Sequence, residues 1–384
     1  MPIETEELLS VAQGEFKIKR LPVRPLELLR GWDAADEYVL DYLAETIQPP
    51  SDARILIVND TFGALAVALN AFRPCALSDS YLSHQATQLN LVENGLPPDC
   101  VRLMNSLETI DAGFDVILIK VPKTLALLED ELIRLHPLLT PSTQVIVAGM
   151  IKHLPSSIWK LLERLVGETT TSLARKKARL IFALPDARLM APSSPYPVHY
   201  RLEGSDYLIT NHANVFSRDS LDIGTRFFLQ HIPVKPGKAD IVDLGCGNGL
   251  LGLKAAEQNP DACIYFVDES FMAVASAKEN FYRAFGLGRD VDFCVGDGLT
   301  DFKSDSVDLV LCNPPFHQHN TVGNQIAVGM FKQAHKALRP GGELRVIGNR
   351  HLEYHTHLNR IFGAHSIIAS NSKFIIFRAI KGLA

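Results

Sequence analysis

Ile241-Val242-Asp243-Leu244-Gly245-Cys246-Gly247-Asn248-Gly249 carries an apolar run into three alternating glycines, and a helix-like stretch follows from Leu250 to Gln258. Glycines at a strand-to-helix turn let a ligand approach the backbone closely, so the stretch reads as the first βα turn of a Rossmann-like sheet. Alone it would equally suit a nicotinamide-binding enzyme or a plain strand end. The next apolar run, Ile264-Tyr265-Phe266-Val267, ends in Asp268, and a carboxylate there suits a ribose diol by accepting from both hydroxyls. A third run, Val291 to Val295, leads to Gly296-Asp297-Gly298, where Asp297 is placed to accept from an adenine amino group. Either aspartate alone also reads as the cap of the helix that follows it. In this order, with Asp243, Gly245, Gly247 and Gly249 before them, they point to a site for S-adenosylmethionine. That cofactor has no pyrophosphate, which fits the incomplete dinucleotide glycine pattern.

A fourth apolar run, Val307 to Cys312, ends in Asn313-Pro314-Pro315-Phe316. The tetrapeptide suits methylation of a planar amino group, whose nitrogen is a poor nucleophile because its lone pair is delocalised. The Asn313 side-chain oxygen and the Pro314 carbonyl can each accept one amine hydrogen and turn the lone pair towards an electrophile. The prolines fix the backbone, and Phe316 offers a face for a flipped base. Read by itself, the tetrapeptide would also serve as a strand-to-loop turn with a packed phenylalanine.

The first half of the chain looks like a damaged copy of the second. Ile57 to Ala64 matches Ile241 to Asn248, setting Gly63 against Gly247. Leu77-Ser78-Asp79-Ser80 matches Val267-Asp268-Glu269-Ser270, with Asp79 taken one place off against Asp268. Phe114 to Ile119 matches Val307 to Cys312, and Leu139 to Gly149 matches Leu338 to Gly348. The order is kept and the offsets grow slowly, as duplication with small insertions produces. Two of the three turn glycines are missing from the first copy, and Thr61 and Phe62 put side chains where a cofactor needs bare backbone. Lys120-Val121-Pro122-Lys123 stands in place of Asn313-Pro314-Pro315-Phe316, and lysine has no acceptor. The first copy should keep the fold and lose the chemistry, although Asp79 leaves residual ligand binding open.

The expected fold is therefore α/β: two tandem Rossmann-like class I methyltransferase domains, each a mostly parallel seven-stranded sheet with helices on both faces. The boundaries read as 1–184 for the degenerate domain, 185–197 for a linker containing Pro192-Ser193-Ser194-Pro195, and 198–384 for the catalytic domain. A hairpin, His199 to Leu202 with Tyr207 to Thr210, should lie against the second domain. With 384 residues, 47% of them hydrophobic, both domains can bury a full core. No apolar stretch approaches a membrane span, and the N-terminus lacks the pattern of a signal peptide. The six cysteines form no Cys-x-x-Cys pair and read as reduced core thiols of a cytoplasmic protein. No metal spacing is present, and His351, His355 and His357 read as a solvated helix face. The net charge of -5 lies wholly in residues 1–200, so a nucleic-acid partner needs a local basic patch. Arg175, Lys176, Lys177 and Arg179 are the best candidates, ahead of Lys17 to Arg20 and the pair Arg345 and Arg350.

With these residues in hand, the chain resembles the bacterial ribosomal RNA guanine-N2 methyltransferases, the RlmG/RsmC family, and is nearer to its large-subunit branch. The resemblance is carried by Trp32 to Tyr38, Lys120 to Glu129, Lys176 to Leu180, Asn211 to Arg218, Asn313 to Gln318 and Asn349 to Leu352. A further segment, Phe216 to Thr225, looks like the family's lead-in to the first strand and borders the cofactor pocket. The resemblance implies methyl transfer from S-adenosylmethionine to the N2 amine of one guanosine in 23S ribosomal RNA, and a monomer is expected because the second domain already supplies the usual extra surface. It implies that only the second domain is catalytic, with the first presenting its basic segment to the RNA backbone. The same tetrapeptide also serves small-subunit guanine-N2, DNA adenine-N6 and protein glutamine-N5 methylation, and a non-catalytic RNA-binding role is a further alternative.

Overall fold

The structure, a computed structural model, describes residues 8–23, 29–110, 113–315 and 321–383, with 321–324 described by backbone alone. The chain divides between Pro195 and Tyr196 into two compact units, a break that falls within residues 185–197.

In the second unit seven strands form one sheet: Asp240–Leu244, Cys263–Asp268, Val291–Val295, Val307–Cys312, Leu338–Asn349, Ser366–Ser370 and Phe374–Ile380. Numbered along the chain, their order across the sheet is 3-2-1-4-5-7-6. The first five are parallel and the last two form the antiparallel edge. Both faces of the fourth strand are buried, because a parallel sheet is covered by helices on both sides. Leu309 and Leu311 pack towards the helices Ile223–Leu229, Leu250–Gln258 and Phe271–Phe285. Val310 and Cys312 pack towards Thr321–Ala337 and Tyr354–Phe362. The hairpin Val198–Arg201 with Leu208–Asn211 docks on this unit: Thr210 N donates to Asn280 Oδ1 at 2.7 Å, and Asn280 Nδ2 returns bonds to the carbonyls of Thr210 and Asn248.

The first unit repeats the plan. Beside the hairpin Leu8–Val11 with Gly14–Lys17, its seven-stranded sheet is built from Ile55–Val58, Cys75–Ser78, Arg102–Asn105, Val116–Lys120, Gln144–Met150, Thr169–Thr171 and Ala178–Ala183, in the same order, 3-2-1-4-5-7-6. Even the asparagine clamp recurs. Asn90 Oδ1 accepts from Lys19 N at 2.9 Å, and its Nδ2 donates to the carbonyls of Lys19 and Phe62.

This geometry corrects two of the sequence matches. Gly63 opens the helix Ala64–Ala68 at φ +78°, where an added Cβ would strike Thr87; Gly249 opens its helix at φ +85°, where a Cβ would strike Ala277. Gly63 is therefore the counterpart of Gly249, not Gly247, and it survives because the close helix packing demands it. Thr61 then takes the place of Gly247. Secondly, Ser80 and Ser270 cap equivalent helices, and Ser80 N bonds to Ser78 Oγ as Ser270 N bonds to Asp268 Oδ1. Ser78, not Asp79, occupies the Asp268 position, so the carboxylate expected to meet a ribose is lost as well. Asp79 is instead buried and accepts a bond from Ser106 Oγ at 2.5 Å. Among the described residues no helix is long and apolar enough to cross a membrane.

Candidate methyl-transfer site

The three turn glycines do different work. Gly245 and Gly247 lie at φ +70° and +53°, in the left-handed region that side chains rarely adopt. A Cβ on Gly247 would meet nothing within 4 Å, so its bare face opens on free space at the end of the sheet. Gly249 is needed for helix contact. Asp243 is fully buried and its Oδ2 accepts from Gly252 N at 2.8 Å; burial pushes its pKa up to about 8. It anchors the helix behind the turn. In the first unit Asp60 does the same from three residues later, accepting from Ala66 N at 2.9 Å.

Asp268 ends the second strand and folds its carboxylate across the turn, accepting from Gly247 N at 2.9 Å and Ser270 N at 3.0 Å. An ionised carboxylate offers only acceptors, which is the chemistry a ribose diol calls for. Asp297 follows the third strand, and burial raises its pKa above the usual carboxylate range. Its backbone carbonyl is held by Gln333 Nε2 at 3.2 Å and Thr300 Oγ1 at 2.7 Å. An open glycine face, a diol acceptor and a second acceptor at successive strand ends fit S-adenosylmethionine.

Asn313 begins the loop after the fourth strand. Its Nδ2 donates to Thr225 Oγ1 at 3.0 Å. Thr225 Oγ1 in turn donates to Asp222 Oδ2 at 3.2 Å, the carboxylate that caps the helix Ile223–Leu229 by accepting from Thr225 N at 2.8 Å. With its proton committed to Asp222, the Thr225 hydroxyl has only lone pairs to offer Asn313. This fixes the amide, NH2 towards Thr225 and oxygen away from it. That oxygen is buried and, among the described residues, finds no hydrogen-bond donor. An unpaired buried acceptor costs about 1–3 kcal/mol, a cost that an incoming amine relieves. Pro314 is buried beside it, and Phe316 lies outside the described residues. Thr225 and Asp222 were not distinguishable in the sequence beyond their place in the lead-in segment.

The corresponding corner of the first unit is filled by charge. Lys120, at the Asn313 position, reaches Asp33 Oδ1 at 2.8 Å and Asp36 Oδ1 at 2.7 Å. Asp33 caps the helix Ala34–Tyr42 as Asp222 caps its own, and Asp36 takes the Thr225 position. Burial by itself would push Lys120 down, but the two carboxylates outweigh it and hold the ammonium charged. An ion triad has replaced a hydroxyl–carboxamide pair. Arg20 lies over the Phe62 ring at 4.6 Å, beside the altered turn.

The basic segment joins the last two strands of the first unit. Lys176 and Lys177, at φ +49° and +65°, form the turn. Arg175 pairs with Asp41 at 2.8 Å and Lys176 with Glu37 at 2.6 Å, so two of the four charges are partly neutralised inside their own unit. Arg179 is half-buried, whereas Lys177 is exposed. Among the other basic candidates, Arg345 is buried against Glu343 at 2.6 Å and presents no phosphate contact, because its charge completes an internal network. His355 is exposed and His357 half-buried on the helix Tyr354–Phe362, whereas His351, also exposed, lies in the turn before that helix and so not on its face.

Residues 6–187 match the family model described as RLMG N-terminal domain, and residues 206–378 match Methyltransferase small domain. Among curated relatives, a Ribosomal RNA large subunit methyltransferase G from Streptomyces griseus is 50% identical over 97% of this chain and 99% of its own length. A protein of the same name from Pseudomonas fluorescens is 49% identical over 97% of this chain and 100% of its own. Among solved structures, the T. thermophilus 16S rRNA N2 methyltransferase RsmC in complex with AdoMet and guanosine superposes with a TM-score of 0.76, covering 97% of both chains at 19% identity, a likeness of fold.

Proposed function

The chain belongs to the ribosomal RNA large subunit methyltransferase G family, whose cofactor is S-adenosylmethionine, and from that premise we propose that its second domain methylates the exocyclic N2 amine of a guanosine in 23S ribosomal RNA. The observation that carries this reading is the buried oxygen of Asn313, unpartnered among the described residues and fixed by Thr225. S-adenosylmethionine supplies a methyl group on a sulfonium, ready for transfer without prior activation. Gly245 and Gly247 would leave room for it, Gly249 would let the helix behind them pack, and Asp268 and Asp297 would hold its ribose and adenine.

The rest of the chemistry falls to the chain. Asn313 Oδ1 and the Pro314 carbonyl accept the two amine hydrogens, draw the nitrogen towards tetrahedral geometry and aim its lone pair. No general base acts before attack, because the amine proton becomes acidic only once the new bond forms. Positioning and exclusion of water provide the acceleration. The base must leave its stack to enter, which favours loops and helix junctions, and Phe316 is the residue proposed to stack on it. The first domain contributes affinity and register without chemistry. Within its basic segment Lys177 is the principal phosphate contact, with Arg175, Lys176 and Arg179 as neighbours. The protein acts as a monomer in the cytoplasm.

Labelled S-adenosylmethionine, deproteinised 23S RNA lacking the modification, and nucleoside mass spectrometry test this directly. N2-methylguanosine is the expected product. Label on adenosine or on protein would transfer the same site to another planar amine.

A further inference from the structure

Asn349 ends the fifth strand and is 7% exposed. Among the described residues its carboxamide oxygen, like that of Asn313, is buried and finds no hydrogen-bond donor. Native folds rarely leave such an acceptor unpaired, and two at one edge of a sheet call for a common use.

The two asparagines share a face. Cys312 pairs in register with Val346, so strand alternation puts Asn313 and Asn349 on the side opposite to both. Leu311, Ile347 and Phe374 mark that side, packing in one core. Asn349 pairs across the antiparallel edge with Phe374, and the Phe374 ring lies 3.2 Å from where a Cβ on Gly224 would sit. Gly224 directly precedes Thr225, which holds Asn313. Strand spacing and rise put the two asparagine Cα atoms roughly 8 Å apart, within reach of two convergent side chains.

An acceptor for an amine cannot by itself tell guanine from adenine, since both carry one. What differs is the ring nitrogen beside the amine. Guanine presents a donor there, N1–H, and adenine presents a bare lone pair. We propose that Asn349 is the specificity-determining residue of this site, its Oδ1 accepting guanine N1–H while Asn313 holds N2; the inference rests on the guanine-N2 reading above. A base without the N1 proton leaves the Asn349 oxygen buried and unpaired, and sites built on such a bond discriminate strongly against its loss.

The test uses the full-length protein, labelled S-adenosylmethionine and an RNA fragment carrying either guanosine or 2-aminopurine riboside at the mapped position. 2-Aminopurine keeps the amine and lacks N1–H. Wild-type protein should favour guanosine in kcat/KM by about tenfold or more, the effect of one buried hydrogen bond. Asn349→Ala should lower kcat/KM for guanosine and leave 2-aminopurine nearly unchanged, collapsing the ratio. Asn349→Asp retains an acceptor and should keep the preference, and equal cofactor affinity in all three proteins would confirm that the site is intact. A ratio unchanged in Asn349→Ala, or a parallel fall with both bases, would overturn the assignment. Wild-type protein that makes no N2-methylguanosine would instead overturn the reading on which it rests, so the two failures are distinct.

Discussion

Thr225→Val removes the hydroxyl that orients Asn313 and changes little else. The helix cap survives, because Asp222 Oδ2 still accepts from Thr225 N at 2.8 Å. What is lost is the 3.0 Å bond from Asn313 Nδ2, together with the hydroxyl's own 3.2 Å bond to Asp222 Oδ2. A hydrogen bond of this kind contributes about 0.5–1.5 kcal/mol net, and at 1.36 kcal/mol per decade that is roughly a threefold to tenfold loss in kcat. The loss falls on kcat because the amide is then free to turn its NH2 towards the amine, where two donors face each other in the transition state. Thr225→Ser keeps the hydroxyl and should retain activity. Asn313→Ala removes the acceptor itself and should cost about 10²–10³, the scale seen when one aimed polar group is deleted from an active site. The decisive measurement is the double-mutant cycle, in single-turnover methyl transfer at saturating cofactor. If Thr225 acts only through Asn313, Thr225→Val costs nothing further in the Asn313→Ala background. Additive losses, or a serine variant as impaired as the valine one, would refute the relay from Asp222 through Thr225 to Asn313.

Asp268→Ala deletes the carboxylate that bridges the Gly247 and Ser270 amides; cofactor Kd by calorimetry should rise about tenfold to hundredfold, the range for charged hydrogen bonds, and an unchanged Kd would remove Asp268 from the site. Glu131 is buried, held by Asn59 Nδ2 at 2.9 Å, and burial pushes its pKa up to about 8. The native state thus keeps a proton that the unfolded chain releases near pH 4.3, so this contribution is present at low pH and falls between there and pH 8, by at most about 1.4 kcal/mol per pH unit. Glu131→Gln should flatten that decline in denaturant titrations, and an unaltered slope would show that Glu131 is ionised in the fold. Lys120→Ala strands the buried Asp36 carboxylate, and the first domain should lose about 3–5 kcal/mol in chemical denaturation; a loss below 1 kcal/mol would mean that the triad does not hold this corner. Lys177→Glu should weaken RNA binding and lower the slope of log K against log salt by roughly 0.7–0.9, one phosphate contact, with cofactor binding intact; an unaltered slope removes Lys177 from the interface.

The strand-and-turn grammar of the chain was legible in the sequence because it is local. An apolar run with a glycine or aspartate at its end recurs at the first three strands of the second unit, with a helix after the first two, and the same alternation in both halves underlies their seven-stranded sheets. The duplication was legible for the same reason, since the two halves keep one order. Its register was not. Similar letters set Gly63 against Gly247 and Asp79 against Asp268, whereas helix caps and strand pairing set Gly63 against Gly249 and Ser78 against Asp268. The basic run 175–179 read as free charge, but Glu37 and Asp41, more than a hundred positions away, neutralise part of it.

The sequence by itself determined which domain keeps its glycines, the aspartate proposed to meet the diol and the asparagine proposed to bind the amine, because those are residue types at strand ends. Only the tertiary structure decided which way that asparagine faces. The bond that settles it joins residues 88 positions apart, and the second orphan oxygen, Asn349, reaches the same face only through strand register. Residue identity sets what a group can donate or accept; the fold sets whether its partner is another side chain or a substrate, and that difference is what makes an asparagine catalytic.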